Sequence, residues 1–129
     1  MITTHPTYPW LTEGGPAAIV TSRGTDKQVK LVTVDRWTKT QIVLTDDARR
    51  YRVDNLRQVG DHYGSKLYAA NDTVVYDVRA AGIVDGLPYR VGEVTRKIRP
   101  VNLATARAAL DQMEKEIAAA RHVLDGFTH

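Results

Sequence analysis

Lys30 to Gly60 reads KLVTVDRWTKTQIVLTDDARRYRVDNLRQVG, and its alternation of apolar and polar residues decides the fold. Val32 and Val34 alternate with Thr33 and Asp35, and successive side chains of a strand point to opposite faces. Ile42 and Leu44 repeat the pattern after Thr38-Lys39-Thr40, which breaks the run. Asp46-Asp47-Ala48 supplies turn residues, and Tyr51 and Val53 then face in while Arg50 and Arg52 face out. Three strands this closely spaced form a meander, which must curl to bury its single apolar face. The predicted core is Val32, Val34, Ile42, Leu44, Tyr51 and Val53. Asp54-Asn55-Leu56 reads as a 3₁₀ turn.

Upstream, Ala17 to Thr25 reads as a further strand that turns near Gly24-Thr25-Asp26. Residues 1–16 are rich in Thr, Pro and Gly and lack periodicity, so they form an extended arm or tail. Trp10 and Leu11 are its candidate anchors to the barrel; a mobile terminus is the alternative.

Downstream of Gly60 the period changes. Asn71-Asp72 is a candidate helix cap, and Val74, Val75, Val78 and Ala81 follow at helical spacing. Thr73 to Tyr76 has strong β-propensity and Gly82 weakens a helix, which opposes that reading. Val91, Val94 and Ile98 suggest a second short helical segment, ended by Pro100. The last helix has the clearest signature. Asn102 caps it, and Leu103, Ala106, Leu110, Met113, Ile117, Ala120 and Leu124 recur as a heptad-like seam. Gly126 is a natural stop. Two partners suit the seam: the chain's own core, or a second copy in a homodimer.

The expected fold class is therefore α+β. An N-terminal SH3-like antiparallel β-barrel (17–60) follows the arm (1–16), and a helical unit (61–129) ends in a long amphipathic helix.

Trp37-Thr38-Lys39-Thr40-Gln41-Ile42-Val43, Arg49-Arg50-Tyr51-Arg52-Val53-Asp54-Asn55-Leu56 and Leu67-Tyr68-Ala69-Ala70-Asn71-Asp72 resemble stretches in uncharacterised small proteins of actinobacterial phages. There a barrel precedes a helical tail. The resemblance implies a phage origin and a barrel-plus-helices layout; it carries over no activity and no functional residues.

Composition narrows the function classes. The chain has 129 residues, 43% apolar and 26% charged, an ordinary globular balance. It contains no cysteine, which excludes disulfides and cysteine-based zinc sites and fits a cytoplasmic setting, here the infected host. No apolar run approaches a membrane span, and MITTHPTYPW lacks the features of a signal peptide. The formal charge is only +3, but it is unevenly spread. Lys27 to Arg57 holds eight basic residues against four acidic ones, whereas Leu103 to His129 holds three against four.

No nucleophile elbow, phosphate loop, dinucleotide fingerprint or zinc-protease motif is present. Gly64-Ser65-Lys66 is only a fragment of a phosphate loop. His62 beside Asp61 reads as a solvated turn, and Asp46-Asp47 as a turn rather than a cation site. The expectation is a non-enzymatic binding module without cofactor, metal or membrane partner. Its first candidate partner is a host or phage protein. The alternative is nucleic acid, held by Arg36, Lys39, Arg49, Arg50 and Arg52 on the barrel face, with Tyr51 or Trp37 for stacking.

Overall fold

The computed structural model describes residues 3–24, 26–60 and 64–127. It is an α+β protein: a curled five-stranded antiparallel sheet followed by two helices. The chain divides into two compact units, Met1–Val78 and Arg79–His129.

In the first unit, β1 (Pro16–Arg23) and β2 (Asp26–Trp37) form a hairpin in register from Pro16↔Thr33 to Arg23↔Asp26. Its turn is tight, and Gly24 takes a positive φ of 61° that L side chains rarely adopt. The second half of β2 pairs with β3 (Gln41–Leu44), which pairs with β4 (Arg50–Arg52). β5 (Ser65–Tyr68) returns to lie against β1, giving the order β4-β3-β2-β1-β5. A bulge between Val34 and Arg36 leaves Asp35 outside the ladder, so β2 can serve both halves of the sheet. The segment Leu56 to Val59 joins the two edge strands: Val59 N–H donates to Arg50 C=O, and Gln58 N–H to Ser65 C=O.

The six core residues expected from alternation are on the inner face. Val34, Ile42 and Tyr51 are fully buried, Val32 and Leu44 nearly so, and Val53 packs against them. Leu67 of β5 completes the cluster. The sheet thus extends past Gly60, where the sequence reading began the helical unit. Ser65–Tyr68 has the polar Ser65 and the apolar Leu67 as its two buried positions, so no apolar alternation stands out. β1 is buried on both faces, which explains its unbroken Ala17-Ala18-Ile19-Val20 run. Ala17 and Ile19 enter the barrel core, while Ala18 and Val20 lie under Val75 from the first turns of the first helix.

The arm is docked rather than trailing. Leu11 is fully buried in the core, with Tyr8 and Trp10 packed against it. Gly14 N–H donates to Val34 C=O, Val34 N–H donates to Gly15 C=O, and the Tyr8 hydroxyl donates to Val53 C=O at 2.5 Å. His5 is buried against Tyr8 and Trp37, and its Nδ1 accepts from Thr7 N–H.

Thr73 to Lys97 is one helix, α1, not two segments. Asp72 accepts from Val74 N–H at its start. Gly82, Gly86, Pro88 and Gly92 interrupt the apolar pattern without ending the helix. α2 (Leu103–Asp125) opens on a capping box in which Asn102 and Thr105 satisfy each other's backbone. Gly126 ends it in a right-handed conformation (φ −77°), not in the left-handed one that favours glycine there. Ala109 and Ala120 are its buried residues, with Ala106, Met113 and Leu124 half-buried. Leu103, Leu110 and Ile117 are exposed, at 67%, 58% and 40%. No described helix is long and apolar enough to cross a membrane.

Candidate binding face of the barrel

The pairing register fixes which side chains share the outer face. Tyr51 points inward, so Arg50 and Arg52 point out, and the register sets Arg50 beside Val43 and Val43 beside Arg36. Arg52 stands beside Gln41. Arg36, Arg50 and Arg52 therefore lie on one surface spanning three strands. Lys39, in the β2–β3 connection, lines a shallow cleft of about 200 Å³ with Thr40, Arg52, Val53 and Asp54. Two further cations join them. Arg57 follows Arg52 through the Arg52 N–H to Arg57 C=O bond, and Lys66 of β5 is bridged to Arg57.

Arg49 has a different task. Its Nε and guanidinium N–H groups donate to both oxygens of Asp47, at 2.9 and 2.6 Å, and Lys30 Nζ donates to the same carboxylate at 2.9 Å. The Asp47 side chain is only 6% exposed. The Arg49 guanidinium above all holds the carboxyl well below the usual carboxylate range; burial opposes this, and Lys30 reinforces it. Asp46 accepts from Thr33 N–H. Both turn aspartates are thus engaged in tying the β3–β4 connection to β2. Among the described residues, no group of three or more His, Asp or Glu is placed to hold a metal. Asp61 and His62 lie outside the described residues.

The outer cations differ in what neutralises them. Arg36 pairs with Asp35 at 2.6 Å, a contact that the bulge permits, and Arg52 makes a two-pronged pair with Asp54 at 3.1 and 2.7 Å. Among the described residues, the Arg50 side chain donates only to the neutral Gln41 side chain, at 3.3 Å. Lys39 and Arg57 make no side-chain hydrogen bond or ion pair among the described residues. Lys66 Nζ lies over the Tyr68 ring, 5.2 Å from its centroid. Trp37 and Tyr51, the rings expected to stack on bases, belong instead to the core side of the sheet.

Arg57 and Lys66 escaped the sequence reading because only the bridge between β5 and the 56–59 segment brings them to this face. The countercharges were the other missed signal: Asp35, Asp47 and Asp54 each stand one or two residues from the arginine they bind. The helical unit holds a separate groove of about 480 Å³, lined by Arg90, Val94, Ile98, Gln112 and Glu116 among others, with Arg90 paired to Glu116 at 3.9 Å. Among the seam residues, Met113, Ala120 and Leu124 turn inward, and Leu103, Leu110 and Ile117 turn out.

No protein-family model, curated protein or solved structure matches this chain.

Proposed function

We propose that this protein is a non-enzymatic binding module that holds an acidic protein surface on the outer face of an SH3-like barrel. The single observation that carries this reading is the set of cations Lys39, Arg50 and Arg57. They converge on one face without a carboxylate to neutralise them among the described residues. Exposed cations of this kind steer an acidic partner and fix its register. A protein partner is favoured over single-stranded nucleic acid because Trp37 and Tyr51 face the core, leaving no ring from either on which a base can stack.

The SH3-like assignment is supported by the strand order, by a long β2 shared between both halves, and by the turn after β4 that leads into a fifth strand beside the first. α2 is the long amphipathic helix of this layout, with Ala109 and Ala120 buried. The resemblance of Trp37–Val43 and Arg49–Leu56 to actinobacterial phage proteins supports an accessory role in the infected cell's cytoplasm, with a host or phage protein as partner.

Fluorescence anisotropy tests the chemistry. Labelled poly-glutamate should bind, with affinity falling as salt rises, and the Lys39→Glu, Arg50→Glu, Arg57→Glu variant should lose it. Binding of duplex or single-stranded nucleic acid well below the poly-glutamate concentration, abolished by the same variant, would replace this reading with nucleic-acid recognition.

A further inference from the structure

We infer that α2 is a self-association helix that pairs antiparallel with α2 of a second copy through the ridge Leu103, Leu110 and Ile117. The three side chains are exposed and recur at steps of seven, so they form one line along a helix about 35 Å long at 1.5 Å per residue. Ala106 and Met113, both half-buried, lie beside that line, and the small Ala106 allows close approach. An apolar line of this period is matched by another helix of the same period, whose side chains enter the gaps between its own.

The flanking charges identify that helix as a copy of itself. Arg107, Glu114 and Arg121 run along one side of the ridge, all exposed, also at steps of seven and alternating in sign. None of them forms an ion pair among the described residues. An antiparallel copy sets Arg107 against the partner's Glu114 and Glu114 against the partner's Arg107. Such a contact is self-complementary, as a two-fold interface requires. This register puts the two-fold axis between Leu110 and Asp111, so Leu110 meets its own counterpart. A lipid surface would call for cations along the whole flank, and Glu114 interrupts them. The small size of the ridge places the dimer on the order of micromolar affinity.

Sedimentation velocity on the full chain from about 1 to 200 µM should show a monomer–dimer equilibrium. Leu110→Glu with Ile117→Glu should weaken it at least about a hundredfold. Should that variant fail to fold, Glu114→Arg decides instead: the surface substitution should weaken the dimer about tenfold, and adding Arg107→Glu should restore it. The chain has no cysteine, so single cysteines report the register cleanly. Leu110→Cys should form an interchain disulfide on oxidation and Leu103→Cys should not. A monomer at every concentration, a dimer untouched by these substitutions, or equal crosslinking at 103 and 110 would overturn the proposal.

Discussion

At the scale of single residues, two side chains show how local energies are spent. Asp47 ties Lys30 and Arg49 to one carboxylate. Because its folded pKa is depressed, the stability it contributes is present above the unfolded value of about 3.9 and is lost as pH falls from there toward the folded value. Asp47→Asn should cost about 1–3 kcal/mol at pH 7 in a denaturant titration. The same variant should lose less stability than the wild type between pH 5 and pH 2. Leu56 is the second case. It is the only non-glycine with positive φ among the described residues, at 62°, yet it packs on the core. Leu56→Ala forfeits the packing and keeps the strain, whereas Leu56→Gly forfeits the packing and releases it. Leu56→Gly should therefore be the more stable of the two by about 1 kcal/mol, the reverse of the usual order for Ala and Gly.

At the scale of elements, the legible parts of the sequence are those whose inward positions are filled by apolar residues without interruption. β2 and β3 carry apolar residues at alternate positions, so Val32, Val34, Ile42 and Leu44 could be assigned to one face, and all four are buried. Asn102 was legible as a cap because its geometry is local. β5 was not legible, since one of its two inward positions is the polar Ser65. α1 was read as fragments because glycines and Pro88 interrupt its apolar stripe. The outer cations were recognisable as a group, but sequence alone could not say which of them carboxylates neutralise; that depends on the bulge at Asp35 and the turn at Asp47. Pro88 carries a prediction of its own. It lies in the interior of α1, where it lacks an N–H for the ladder and crowds the preceding turn. Pro88→Ala should raise helix content by circular dichroism and stabilise the chain, by up to about 3 kcal/mol. An unchanged or lowered melting temperature would mean that the proline's ring or the bend it imposes is needed.

At the scale of the whole molecule, each unit carries a candidate surface of its own. The basic excess lies within Lys27 to Arg57, and the exposed aliphatic line lies on α2. The two surfaces suit two kinds of association, one electrostatic and salt-sensitive, the other apolar and sensitive to buried charge. The central claim is that the barrel face holds an acidic protein. The direct measurement is affinity capture from a nuclease-treated cell lysate. The wild type is set beside the folded Lys39→Glu, Arg50→Glu, Arg57→Glu variant. The account predicts acidic proteins enriched by the wild type, resistant to nuclease, released by salt and absent with the variant. Capture that disappears on nuclease treatment, or that is the same for both proteins, would contradict it.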